Sequence, residues 1–312
     1  MPMIKKYFFL FFLALCQNFL SPFQILINAQ ESQIFKRSDF DLRGPVKSCL
    51  VITKYGKEEF EFNEKGLLTK NLTRFNEQDY NVTYYKYSKD ILIEKRDEVY
   101  RDGIFDKQTS IASFYSIDTS QTKIVNEEII SYTGETLESY EYQYNEDDKL
   151  LRIIRSNNNG IDETEVVHTN FKGEKTVTYF QNGIIQKSIR TSLKKKLKQK
   201  VVLTKSFLNG DPVKAQEEIF DEYENIISLK EFTYDLQKKS FTPDKTILYF
   251  YDQAGMLSKE NIKTGGATRT VEYIYQYDDE TKGNWVKQII SPENLFTTRI
   301  ISYYENDENK EP

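Results

Sequence analysis

One stretch constrains this chain more than any other: Tyr249-Phe250-Tyr251-Asp252-Gln253-Ala254-Gly255-Met256-Leu257, which reads aromatic-x-aromatic-Asp-x-x-Gly-x-Leu. Aromatics on alternate residues belong on one face of a strand. Asp at the first position of a tight turn bonds the backbone ahead, and Gly three residues later accepts a positive φ. A bulge at that point lets the returning strand pair. The stretch therefore predicts a β-hairpin, and a chain built from it is all-β.

Weaker copies run from Phe60 to Trp285. Phe60 and Phe62 precede Asn63-Glu64-Lys65-Gly66 and Leu67-Leu68, and Tyr85 and Tyr87 precede Ile91 to Ile93. Tyr140, Tyr142 and Tyr144 precede Asn145 to Asp148, where Asp148 stands in the glycine position and tolerates positive φ better than most residues. Tyr179 and Phe180 meet Asn182-Gly183, Phe220 meets Asp221, and Tyr273, Tyr275 and Tyr277 meet Asp278. Residues 94–110 read as a connection, and the copy around Phe114 is degenerate. The last aromatics before the turns fall at 62, 87, 144, 180, 220, 251 and 277, a spacing that indicates a repeat array. The expected fold is an elongated, open antiparallel sheet of repeated hairpins over 46–304.

Composition agrees with a thin sheet. Charged residues make up 29% and hydrophobic ones only 38%, yet there are 22 tyrosines and 21 phenylalanines. Such rings can fill a core while tyrosine keeps a polar tip in water. A net charge of −5 argues against a nucleic-acid binder. Lys5 and Lys6 before the apolar stretch from Tyr7 predict a signal peptide over 1–29, cleaved after Ala29. An uncleaved anchor, or lipidation at Cys16 after a poor Leu13-Ala14-Leu15 box, are the other readings of this start. Residues 30–45 read as an N-terminal tether and 305–312 as a disordered acidic tail. No later segment is apolar enough to cross a bilayer as a helix.

The stretches Tyr251 to Leu257 and Tyr277-Asp278 with Gly283-Asn284-Trp285-Val286 resemble the YD repeats of the RHS family. Asn63 to Leu67 and Asp221 to Ile226 match more loosely. The resemblance implies hairpins winding into an extended sheet or shell and an exported bacterial setting. It implies no activity, because this chain is too short to encapsulate the toxin domain that large members carry.

The residues point to no catalytic, cofactor or metal site. His168 is the only histidine, on Glu165-Val166-Val167-His168-Thr169, and reads as a solvated or hydrogen-bonded strand residue. Cys49 is the only cysteine left after cleavage and reads as a small strand residue. Asp147-Asp148 and Asp278-Asp279 are explained by turns, and no calcium loop is present. Arg190, Lys194, Lys195, Lys196, Lys198 and Lys200 form a basic run that could contact a polyanion or simply guard a hairpin edge.

These readings converge on a non-enzymatic, exported bacterial binding or scaffold surface in the periplasm, at the cell surface or secreted. Its partner would be a protein or glycan, and no cofactor is expected. A carbohydrate-active hydrolase with carboxylates assembled by the fold, or a surface lipoprotein adhesin, are the alternatives. Closure of the sheet into a barrel would suggest a cavity and reopen the question of a small-molecule ligand.

Overall fold

A computed structural model describes residues 34–278 and 283–305. The expected signal peptide, Cys16 and Asp279 lie outside the described residues, as does the expected tail beyond Glu305. A 3-10 turn, Arg37–Phe40, precedes the sheet. The first strands are β1 (Val46–Thr53), β2 (Gly56–Phe62), β3 (Leu68–Arg74), β4 (Tyr80–Ser88) and β5 (Ile91–Arg101). Then follow β6 (Ile104–Phe105), β7 (Ile111–Asp118), β8 (Ile124–Ser131), β9 (Thr136–Tyr144) and β10 (Leu150–Asn157). The middle contains β11 (Gly160–Phe171), β12 (Glu174–Gln181), β13 (Ile184–Lys194), β14 (Gln199–Leu208) and β15 (Asp211–Phe220). The last are β16 (Ile226–Asp235), β17 (Ser240–Tyr251), β18 (Leu257–Thr264), β19 (Ala267–Tyr277), β20 (Trp285–Ser291) and β21 (Leu295–Tyr303). Residues 94–110 are thus not all connection, since β5 runs on to Arg101.

Every strand pairs antiparallel with its neighbour in sequence, except that β6 pairs only with β5, which goes on to pair with β7. The decisive pairing is between the ends. β1 pairs antiparallel with β21 through Cys49↔Ile301, Leu50↔Ile300 and Val51↔Arg299. The sheet is therefore a closed barrel of 20 strands, not an open elongated array. This corrects both the expected architecture and the YD-repeat, RHS-like resemblance drawn from the turns. The physical reason is that a hairpin motif specifies only local pairing. Accumulated twist and coiling decide whether the first and last edges meet, and here they do, which removes both open edges.

The register assigns two faces. Directly opposed residues share a face, so Cys49, Phe60 and Arg299 point one way while Leu50, Glu59 and Ile300 point the other. The first set is buried: Cys49 is 1% exposed, Phe60 4% and Arg299 4%, against 59% for Ile300. Val125, Tyr142 and Ile153 continue the same inward row, as do Leu229, Ile247 and Tyr249. These residues form three separate clusters, on β1–β3, β8–β10 and β16–β18. Twenty strands about 4.8 Å apart and tilted by about 40° would enclose a circular ring about 40 Å across, wider than side chains alone can fill.

The outward face is charged along the strands. Glu61 pairs with Lys70 at 2.7 Å, Lys86 with Glu94 at 3.5 Å and Lys230 with Glu217 at 3.0 Å, each across a directly opposed pair. Both faces are mixed: Lys245 pairs with Glu231 and Arg155 with Asp162 on the inward face, both at 3.7 Å, while Leu248, Ile274 and Ile300 lie exposed on the outward face. No described helix is long and apolar enough to cross a membrane.

The repeated turns all lie on one rim, the one at which β1 begins. Asn63, Asn145, Asp221, Asp252 and Asp278 each donate their backbone N–H to the carbonyl of the residue that closes the turn. Each side-chain oxygen accepts from that closing residue, at 2.8–2.9 Å. The residue before it has positive φ in every case: Gly66, Asp148, Glu224, Gly255 and Gly283. A bulge sits beside each turn. Tyrosine hydroxyls complete the pattern, with Tyr87 donating to Leu68 O, Tyr251 to Ile226 O and Tyr275 to Leu257 O at 2.7–2.9 Å. That bond gives tyrosine a role phenylalanine cannot fill.

Candidate binding cavity

The stretch expected as a tether enters the barrel at this rim. Lys36 bridges to Leu67, and Phe35 O accepts from Leu68 N at 2.9 Å. Phe40 packs against Phe60 and Phe62, with ring centroids 4.6 and 5.4 Å apart. Phe35 reaches Tyr85 on β4. Arg37 lies so close to Gly66 that a Cβ there would sit 2.5 Å from its Nε. At the other end Arg43 is clamped by Asn284, which is fully buried. Arg43 N donates to Asn284 Oδ1 at 2.7 Å, and Asn284 Nδ2 donates to Arg43 O at 2.9 Å and to the Tyr303 hydroxyl at 2.9 Å. Arg43 also donates to Ala254 O, in the turn of the sharpest repeat copy. Three separated turns are thereby stitched together across the rim.

Behind this segment lies a cavity of about 210 Å³, walled by the inward faces of β17–β21, β1 and β2. Its apolar wall includes Val51, Phe60, Tyr249, Tyr275 and Trp285, and its polar groups include Glu58, Glu260, Gln288 and Arg299. Tyr249 and Tyr251 of the organising stretch both line it. The rings expected only to hold the sheet together thus also form the wall of a cavity.

The polar groups are largely buried. The Arg299 guanidinium lies over the Trp285 ring, 3.5 Å from its centroid, and donates to Phe40 O at 3.0 Å. Burial pushes it down to about 10, opposed by Cys49 and Asp41. Burial likewise pushes the Cys49 thiol up to about 11, against the pull of Arg299. Glu58 is pushed up to about 7 by burial, opposed by its hydrogen bond from Thr73. Glu260, only 4% exposed, is also raised by burial, against a hydrogen bond from Tyr273 and the charges of Lys245 and Arg269. Gln288 Nε2 donates to the Tyr275 hydroxyl at 3.0 Å.

The residues singled out in the sequence fall elsewhere or in other roles. Cys49 does line the cavity, as a buried, poorly ionising thiol beside Arg299. A bulge between Val46 and Ser48 lets Val46 join it in the core, although simple alternation put them on opposite faces. His168 lies on β11, and its Nε2 is 2.7 Å from Leu150 O. The basic run is not one surface. Arg190 pairs with Glu174, Lys198 with Glu222 and Lys200 with Glu224, and Lys200 is buried over the Phe220 ring. Lys194, Lys195 and Lys196 stay exposed at the β13–β14 turn. Glu58, Glu260, Gln288 and Arg299 carried no sequence signal of their own; only their place on the inward face marks them.

No family model matches the sequence, and the YD-repeat resemblance gains no support there. No curated protein matches either. Among solved structures the chain is similar to a porin-like protein from Bacteroides uniformis ATCC 8492, at 8% identity and TM-score 0.33, covering 83% of this chain and 98% of that one. A porin-like protein from Bacteroides vulgatus ATCC 8482 gives 10% identity and TM-score 0.24, covering 84% and 99%. The Tc holotoxin pore of Photorhabdus luminescens gives 10% and 0.31, covering 84% of this chain and 17% of that chain. Likenesses this distant carry no argument about ligand or mechanism, and the barrel stands on its own strand pairing.

Proposed function

We propose that this is an exported, non-enzymatic protein of the bacterial cell envelope whose barrel holds a small guest with an apolar body in its interior. The observation that carries the reading is the cavity itself: Tyr249, Tyr275 and Trp285 wall a volume of about 210 Å³ inside the closed sheet, bordered by Phe40 of the N-terminal segment. The basic-then-apolar start of the chain supports export. A pre-formed, mostly apolar cavity with a few polar groups is the usual architecture of a small-ligand site.

Trp285 is the only tryptophan, so its emission reports on this cavity alone. Titration with apolar aromatic probes should give a saturable change in that emission. Tyr249→Ala, which removes part of the wall, should weaken binding about ten-fold or more. A Trp285 signal that no apolar probe perturbs would refute the reading.

The hydrolase alternative keeps one specific observation, since Glu58 and Glu260 line the same cavity and burial raises both. It requires turnover of a glycoside that both Glu58→Gln and Glu260→Gln abolish. Unchanged turnover in either variant removes it.

A further inference from the structure

We infer that the cavity selects a small hydrophobic cation, a primary ammonium carried on a ring or short chain; this deepens the lumen-binding reading and rests on it. The geometry that points to it is the presence of two buried acceptors, on β18 and β20, along the cavity wall. Glu260 and Gln288 are each 4% exposed, and both line the cavity. Glu260 Oε1 and Gln288 Oε1 accept no hydrogen bond, although Tyr273 bonds Glu260 and Gln288 Nε2 is used by Tyr275. A buried acceptor left without a donor costs about 1–3 kcal/mol. A ligand that brings N–H donors recovers that cost, and one that brings only acceptors does not.

Charge and wall chemistry narrow the class further. Four acidic side chains line the cavity, Asp39, Asp41, Glu58 and Glu260, against Lys54 and Arg299, although burial raises Glu58 and Glu260. Arg299 is engaged by Trp285 and Phe40 O, so its charge is directed at the wall and the N-terminal segment. Tyr249 stands directly opposite Glu260 across the β17–β18 pair, and Tyr275 directly opposite Gln288 across β19–β20. Each acceptor thus has an aromatic residue as its cross-strand neighbour, and aromatic rings favour a cation over a neutral group. An apolar cavity of about 150 Å³ accommodates benzene, so the 210 Å³ here suits one ring with a short ammonium arm. The selectivity is for charge and donor count, not for length.

The test uses the full-length protein and three probes of matched size: 2-phenylethylammonium, 2-phenylethanol and 3-phenylpropanoate, each titrated against Trp285 emission. The ammonium should bind about ten-fold or more tighter than the alcohol, with the carboxylate weakest. Glu260→Gln should abolish the preference for the ammonium over the alcohol. Should that variant not fold, Gln288→Leu removes the second acceptor and should weaken the ammonium about three-fold or more. An alcohol or carboxylate that binds as tightly as the ammonium overturns the inference, as does a preference that survives the substitution. If none of the three perturbs Trp285, the lumen-binding reading itself fails. If all three bind equally, only the cation selectivity does.

Discussion

Glu58 shows how a single residue in this interior ties stability to pH. Burial holds its carboxyl at about 7 in the folded protein, against 4.5 in an unperturbed setting. The folded state therefore binds this proton more tightly than the unfolded chain does. Stability should fall as pH rises from about 4.5 to about 7 and stay level above, at up to about 1.4 kcal/mol per unit. Glu218, also pushed up to about 7 by burial, adds to the same window. Glu58→Gln should raise the urea midpoint at pH 8, leave it nearly unchanged near pH 4.5, and flatten the slope between. Cys49 gives a second residue-level expectation. At 1% exposure, with its thiol pushed up to about 11, it should resist alkylation in the folded protein and react only on unfolding. Mass determination after iodoacetamide treatment, in a Cys16→Ser background, reads this directly.

At the scale of the element, the repeated turn is the unit. Asp252 Oδ1 accepts from Ala254 N at 2.9 Å and Met256 N at 2.8 Å, so Asp252→Ala should cost about 1–2 kcal/mol. Gly255 has φ 79 and open space where a Cβ would point, so Gly255→Ala should cost about 1 kcal/mol from backbone conformation alone. Tyr251→Phe, which loses the bond to Ile226 O, should cost about 1 kcal/mol. Urea unfolding of the three variants checks the order. The turns were legible because their chemistry is local. The faces were not, because each turn carries a bulge. Leu257 points inward, and counting by twos from it would put Lys259 inside and Glu260 outside. The bulge between Phe250 and Tyr251 reverses this, pairing Lys259 with Phe250 and Glu260 with Tyr249. On β21 the apolar Phe296 and Ile300 face outward while Thr297 and Arg299 face the cavity, the opposite of what side-chain polarity suggests.

Over the whole molecule, the distinguishing property is the seam. Ser48 Oγ and Ser302 Oγ lie 2.6 Å apart across β1 and β21, though 254 positions apart in the chain. Ser48→Cys with Ser302→Cys, in a Cys16→Ser background, should form a disulfide under mild oxidation, giving a faster-migrating band on a non-reducing gel. An open array would keep the two ends apart and give no intramolecular crosslink. The N-terminal segment belongs to the same scale, since Asn284 binds it 241 positions away in sequence. Asn284→Ala should destabilise the protein by about 2–4 kcal/mol and expose the segment around Arg43 to limited proteolysis, because the Arg43 backbone loses both its bonds to the buried Asn284 side chain.

What the amino-acid sequence by itself determined is the all-β class, the hairpin unit and the turn chemistry. These depend on side chains within a few residues of each other, as when Asp252 bonds Met256 N. Only the tertiary structure decided that the first strand meets the last, that Glu260 and Arg299 face the same cavity as Tyr249, and that residues 34–45 are anchored to the turns of one rim. Closure sums small twists over 20 strands, and no local motif encodes that sum. The cavity follows from it, because its wall joins β1 and β2 to β17–β21 across the seam.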